Sequence, residues 1–278
     1  MSHKVVLVTG ASSGIGEAIA LRLLDLGYTV YGAARRVDRM AALANRGVHV
    51  LSLDLTDDTS VKAAADQILS TEGRIDVLVN NAGYGSYGAI EDVPPDEARA
   101  QFEVNLFGAA RLIQLFLPQM RAQHSGTIIN ITSMGGRLHT PLGGWYHATK
   151  FALEGLSDSL RLETAGFGIN VVVIEPGNIR TEWSGVASDH LQQTSAGGAY
   201  ADLAKLVAAY LKQDPNSSRI SASPPSVIAN AVAKAVTARR PKTRYAVGSA
   251  AKPLIFLRRL LPDRSFDFVI RQAVRLAA

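Results

Sequence analysis

Tyr146 and Lys150 stand four residues apart in the run Tyr146-His147-Ala148-Thr149-Lys150. On a helix that spacing puts both side chains on one face. An ammonium beside a phenol favours the phenolate and draws its pKa down from about 10. Tyr146 would then serve as an acid or base near neutral pH. Such pairs are common in helices, so the spacing alone decides nothing. Ser133 lies thirteen residues earlier, just past an apolar run. Its hydroxyl would hydrogen-bond a carbonyl oxygen as negative charge develops there, or act as an ordinary turn residue.

A second group of residues has the chemistry of phosphate binding. The segment Thr9-Gly10-Ala11-Ser12-Ser13-Gly14-Ile15-Gly16 spaces its glycines as G-x-x-x-G-x-G. Gly10 permits a tight turn, Gly14 a close approach of backbone to pyrophosphate, and Gly16 close packing of helix on strand. A helix starting there offers free N–H groups and a positive dipole end to an anion. The next strand ends in Arg35-Arg36, with no acid between Val30 and Val37. An acid there would hold a free ribose 2′-OH. Two guanidinium groups match a 2′-phosphate instead, unless they are a solvated surface pair. Asp54, with Leu55 beside it, would accept from an adenine amino group or cap the following turn.

These residues need a scaffold, and the hydrophobic pattern supplies one. Short apolar runs at 5–9, 29–33, 48–53, 77–79, 126–131 and 170–174 read as buried strands. Between them, 17–26, 59–69, 95–120 and 146–164 have helical spacing. Strands alternating with helices predict an α/β fold, a doubly wound parallel sheet of about seven strands covered on both faces. After Gly177 the pattern changes. Gly, Ser, Thr and Gln dominate 184–198, helices are expected at 201–212 and 227–237, and a last strand at 244–247. Residues 1–250 are expected to form one catalytic domain, with 178–225 as a substrate-binding insertion beyond a strand's carboxyl end. Residues 251–278 would be a helical extension, two amphipathic helices parted by Pro262.

Composition narrows the function. The chain has 278 residues, 47% of them hydrophobic, enough for a sizeable core. With no cysteine, thiolate catalysis, disulfides and Cys-containing zinc sites are excluded. The six His show no ligand spacing, so no metal is expected. No run of 18 apolar residues and no signal-peptide pattern is present, and a cytoplasmic location is expected. The net charge of +5 is uneven: ten Lys/Arg and two Asp/Glu fall after residue 238, leaving −3 on residues 1–238. The body therefore carries no broad cationic field, and no nucleic-acid partner is expected.

Taken in order, Thr9-Gly10-x-x-x-Gly14-Ile15-Gly16, Asn80-Asn81-Ala82-Gly83, Asn105, Ser133, Tyr146-x-x-x-Lys150 and Pro176-Gly177 resemble the short-chain dehydrogenase/reductase family. The resemblance is close from residue 4 to about 181 and loose beyond. It implies a Rossmann-type fold and a nicotinamide cofactor, here NADP(H), cradled by Gly10, Ser12, Ser13, Gly14, Ile15 and Gly16. It implies that Tyr146 exchanges a proton with substrate, Lys150 holds the nicotinamide ribose and lowers the Tyr146 pKa, and Ser133 polarises the substrate oxygen. Asn105 would sit in a helix and anchor a water relaying protons to Lys150. Asn81, Ala82 and Gly83 would line the adenosine side, and Pro176, Gly177, Ile179 and Thr181 the nicotinamide. Homodimers or homotetramers through 97–120 and 146–164 are implied as well. One departure is Ser13, where many NADP-using members carry a basic residue, so Arg35 and Arg36 must hold the 2′-phosphate.

The implied activity interconverts a carbonyl and an alcohol by direct hydride transfer; the alternative is a catalytically silent nucleotide-binding regulator. Candidate pocket segments are 134–142, Trp145 and 183–211, mainly apolar or small. His139 and His147 are more often structural than substrate contacts. The long, basic, apolar tail resembles members acting on steroids, retinoids or other lipophilic carbonyls, such as 17β-hydroxysteroid dehydrogenase-like enzymes. In the tail, Asp267, Arg271 and Arg275 recur every four residues, with Phe266, Ile270, Ala273 and Ala277 on another face. A basic amphipathic helix can lie on an anionic membrane and so make the chain a membrane-surface scaffold. Packing on its own protein or a second subunit is the commoner arrangement.

Overall fold

Side chains alternate faces along a strand, and β1 (Val5–Thr9) uses both faces for apolar packing. Val6 and Val8 enter one core cluster, Val5 and Leu7 another. The computed structural model describes residues 4–212 and 222–276. In it seven parallel strands form one sheet in the order β3-β2-β1-β4-β5-β6-β7. The others are β2 (Thr29–Ala34), β3 (His49–Ser52), β4 (Val77–Asn80), β5 (Gly126–Ile131), β6 (Ile169–Pro176) and β7 (Arg244–Val247). This is the doubly wound architecture that the alternation predicts, and the order reverses between β1 and β4.

One face is covered by α1 (Gly14–Asp25), α2 (Ala41–Asn45) and α9 (Ser226–Thr237). The other is covered by α3 (Asp58–Glu72), α5 (Gly108–Ala122) and α6 (Gly144–Thr164). Helix α1 starts three residues before the expected Glu17, because Gly14 and Gly16 belong to its first turn. The single long helix expected over 95–120 is interrupted. Helix α4 (Pro95–Phe102) passes through a π-helical turn, Glu103–Phe107, into α5. An inserted residue of that kind shifts the side-chain register and is frequent at functional sites.

The Gly/Ser/Thr/Gln-rich stretch folds as α7 (Trp183–Ser195), followed by α8 (Ala201–Leu211). Residues 213–221 of the expected insertion lie outside the described residues. The tail forms α10 (Ala251–Leu260) and α11 (Asp263–Leu276), broken at Pro262. Helix α11 buries Phe266, Ile270 and Val274 rather than Ala273. They join α7, α8, Tyr87 and Tyr146 in a third apolar cluster. The tail therefore packs on its own protein through one face.

Candidate active site

The carboxyl ends of β1, β4, β5 and β6 converge where the expected site residues lie. The glycine turn is built as its spacing requires. Gly10 and Gly14 have φ of +67° and +59°, the left-handed region that Gly enters at no steric cost. A Cβ on Gly16 would stand 2.2 Å from the Gly10 carbonyl oxygen, so nothing larger fits. Ser13 precedes α1 in extended conformation, and no side chain caps the helix. Its first N–H groups are thus left for a ligand. Thr9 braces this end: its Oγ1 accepts from the N–H groups of Asn81 and Ala82, each at 3.0 Å, and Asn81 Nδ2 donates to the Thr9 carbonyl at 3.0 Å. Across the cleft, a Cβ on Gly14 would lie 3.2 Å from Thr181, which places the loop after β6 against the glycine turn. Arg39 reaches over the same gap to Glu182 at 3.3 Å.

Arg35 and Arg36 follow β2 and are exposed. The Arg35 charge helps in a minor way to hold the Asp54 carboxyl below its usual range. The larger cause is local, since Asp54 Oδ1 accepts from the Thr56 N–H at 3.0 Å and the Thr56 hydroxyl at 2.8 Å. Asp54 thus caps its own turn through one oxygen. Leu55 is half-buried and packs where a Cβ on Gly108 would collide with it, at 2.6 Å.

Tyr146 and Lys150 share the buried face of α6. The ammonium lies 6.0 Å from the phenol ring centroid and donates to the Ile131 carbonyl at 3.0 Å. Asn105 sits on the π-helical turn rather than in regular helix. Its Oδ1 accepts from the Tyr84 N–H at 3.0 Å, and its Nδ2 donates to the Tyr84 carbonyl at 2.9 Å and to Thr149 Oγ1 at 3.1 Å. A Cβ on Gly83 would meet Asn105 Oδ1 at 3.0 Å and Lys150 Nζ at 3.5 Å, so Asn105, Lys150 and the backbone after β4 meet at one point. Pro176 ends β6. Gly177 follows so close to the Ser249 carbonyl, 2.0 Å from a would-be Cβ, that no side chain fits. Ile179, just beyond, bridges to Ser223.

Ser133 lies between β5 and Gly135, whose N–H donates to its Oγ at 2.9 Å. His147 fixes the same loop. Its Nε2 accepts from the Thr140 N–H at 3.0 Å, so Nδ1 carries the proton and donates to the Gly135 carbonyl at 2.9 Å. Burial, the main cause, lowers the His147 pKa to about 4, and the ring stays neutral. It is a structural brace. His139 points instead to Asp267 of α11, at 3.0 Å.

Burial reverses one expectation. The Tyr146 pKa is pushed up to about 12, because desolvation outweighs the opposing effect of the Ser133 hydroxyl. Lys150 is itself drawn down to about 8 by burial, with Glu154 partly opposing. The phenol therefore holds its proton at neutral pH, as a proton donor must. Around it stand Tyr87, His147 and Trp183, with ring centroids 5.9, 5.6 and 5.0 Å away. Trp183 lies in an expected pocket segment, and Thr9 adjoins the glycine motif. Tyr87 gave no signal, because a Tyr in a glycine-rich run reads as a loop residue. Trp145 is set apart, facing Phe102 and a pocket of about 430 Å3 with Ile90 and Phe107.

A glycine turn opening an uncapped helix, beside a buried Tyr and Lys on one face of α6, marks a class of enzyme, and the sequence comparisons name it. The family model for short chain dehydrogenases matches residues 4–192, and the chain belongs to that family of oxidoreductases. It is 36% identical over 273 residues to a 3-ketodihydrosphingosine reductase of Bacteroides thetaiotaomicron, covering 98% of both chains. It is also 36% identical to an NADPH-dependent 3-dehydrocapnine reductase of Ornithobacterium rhinotracheale, over 95% of each. Among solved structures, a short-chain dehydrogenase from Streptomyces avermitilis superposes with a TM-score of 0.78 at 36% identity, covering 99% of this chain and 94% of that one.

Proposed function

We propose that this chain is an NADPH-dependent reductase of ketones on apolar, lipid-like molecules, able to run in reverse as an alcohol dehydrogenase. The observation that carries this reading is the burial of Tyr146 and Lys150 on one face of α6, with Ser133 beside them and an apolar wall above. Both named relatives reduce ketones, and one is named for its use of NADPH. The residues of the cleft fit a dinucleotide: an uncapped helix end, two left-handed glycines, and Arg35 and Arg36 at the end of β2 in place of an acid.

Bound in the cleft, reduced nicotinamide supplies the hydride. Ser133 Oγ–H donates to the substrate carbonyl oxygen and Tyr146 gives its phenolic proton to that oxygen as negative charge builds on it. Lys150 would hold the ribose of the bound cofactor, and its charge would steady the phenolate left behind. Asn105 fixes the backbone beside Lys150. Helices α7, α8 and α11 keep water from the reacting carbon and give the substrate an apolar bed. A homo-oligomer through α5 and α6 is supported by the exposure of Phe107, just before α5, and Leu162, on α6.

The test follows loss of NADPH absorbance over a panel of ketones and aldehydes of rising chain length. Turnover should rise with apolar length and vanish in Tyr146→Phe, which retains the ring and loses the proton. Near-normal turnover in Tyr146→Phe sinks the mechanism. Cofactor binding with no turnover on any carbonyl returns the chain to a nucleotide-binding regulator.

A further inference from the structure

Helix α11 buries one side and leaves the other bare, while α10 buries Ala251 and half-buries Leu254, Ile255 and Leu257. On α11 the buried residues are Phe266, Ile270 and Val274, while Arg264, Phe268, Arg271 and Arg275 recur along the outer face at steps of four, three and four. On α10 the exposed positions include Lys252, Phe256, Arg259 and Leu260. The apolar members of this surface stand well clear of the protein: Phe256 is 62% exposed, Leu260 61%, Phe268 61% and Leu276 87%. Of the two acids of the tail, Asp263 pairs with Arg258 at 2.7 Å and Asp267 with His139 at 3.0 Å. Lys252, Arg259, Arg264, Arg271 and Arg275 form no ion pair among the described residues. A groove of about 770 Å3 continues the surface beside α10, lined in part by Arg137, Lys252, Ile255, Phe256, Arg258 and Arg259.

We propose that the outer face of α10 and α11 docks the protein on an anionic lipid bilayer. Charge complementarity selects that occupant. Guanidinium and ammonium groups meet the anionic head groups while Phe and Leu side chains enter the acyl boundary, the pattern of an interfacial helix. A second copy of the same face would set cations against cations. No helix among the described residues is long and apolar enough to cross a bilayer, so contact is at the surface. The inner face of α11 belongs to the apolar cluster that contains Tyr146. Docking would therefore bring the acyl boundary within one helix of the active site, a route for a ketone that stays in the membrane. That last step rests on the function proposed above; the docking does not.

Sedimentation of the full chain with vesicles tests the docking without cofactor or substrate. The protein should pellet with vesicles containing about one-third phosphatidylserine, remain in solution with pure phosphatidylcholine, and be released by high salt. Substituting Arg259, Arg264, Arg271 and Arg275 together by Gln should weaken binding by on the order of a hundredfold or more, at about fivefold per cation. Phe256→Ser with Phe268→Ser should weaken it also. Turnover of a short, soluble ketone should be unchanged in both variants, while a long-chain ketone supplied in vesicles turns over more slowly. Failure of the unmodified protein to pellet with anionic vesicles, or undiminished binding by the Gln variant, overturns the proposal. So does a concentration-dependent dimer in sedimentation velocity that is lost in the Phe variant. If the unmodified protein pellets but reduces no ketone, the docking stands and the reductase reading falls.

Discussion

Tyr146 and Lys150 take opposite costs from the same burial: the phenol resists losing its proton and the ammonium resists keeping one. Lys150 is the group that changes charge in the working range, near pH 8, and it is the one that would hold the ribose. For NADPH, kcat/KM reports ionisations of the free enzyme. We expect it to be level below pH 7 and to fall through one ionisation near 8 as Lys150 becomes neutral. Lys150→Arg, whose charge persists past pH 12, should remove that fall. A flat profile to pH 10 in the unmodified protein would refute the assignment. The second residue-scale expectation concerns cofactor choice. A charge-assisted contact to the 2′-phosphate is worth about 1.5–3 kcal/mol, roughly ten- to a hundredfold in affinity. Replacing Arg35 and Arg36 together by Ala should close most of the gap between NADPH and NADH in a binding titration while sparing NADH. Equal affinities in the unmodified protein would make the two arginines ordinary surface charges.

At the scale of elements, the end of β6 is tied to α6 and β7 by a buried charge cluster. Glu154 accepts from Thr132 Oγ1 at 2.7 Å and from Arg244 Nε at 3.0 Å, and Arg244 also donates to Asp158 at 2.7 Å. Glu175 is left over. Arg244 and Arg137 stay 3.6 and 4.0 Å away, and its Oε1 has no hydrogen-bond partner. Desolvation, helped by the Glu154 charge, lifts its pKa to about 7. A raised carboxyl pKa gives stability that is whole below about 4.5 and is lost as pH climbs through 7. Glu175→Gln should therefore be more stable than the unmodified protein at pH 8, by less than the roughly 3 kcal/mol of the full shift because water partly screens the cluster, with the difference shrinking toward pH 4.5. A gap that does not depend on pH would count against this. None of the cluster was legible in the sequence, because its members are scattered and each alone reads as a surface charge. The strands and most helices were legible, since buried parallel strands are continuous apolar runs and the covering helices keep a 3.6 period. The π-helical turn at Asn105 was not. One inserted residue scarcely disturbs the apolar pattern over 95–120, although it decides where the Asn105 side chain points. Nor was α7, whose Gly, Ser and Thr content weakens the helical signal; its packing against α8 supplies what propensity does not. The residue types and spacing around Tyr146 were legible, but the direction of its pKa shift depended on burial that spacing cannot show.

At the scale of the whole molecule, the two cores against the sheet hold the scaffold, while a third, satellite cluster of α7, α8 and α11 packs around Tyr146, over the candidate site. Phe266 is the most deeply buried side chain of its α11 face. It is fully buried, 5.5 Å from the His139 ring and 5.3 Å from the Arg258 guanidinium. Truncating a buried Phe to Ala costs about 3–5 kcal/mol, and here the loss falls on a cluster with few ties to the sheet. Stability in such a case divides by region, the weaker unit opening before the whole. In Phe266→Ala, amide exchange should speed up in α8 and α11 while β4, β5 and β6 keep their protection. Cofactor affinity should hold, because the glycine turn and the β4 loop lie on the sheet. Ketone turnover should fall through a raised KM, since the apolar bed is what has loosened. Uniform loss of protection across the sheet, or loss of NADPH binding in step with turnover, would mean that the three clusters unfold as one and that α11 is part of the scaffold rather than a cover for the site.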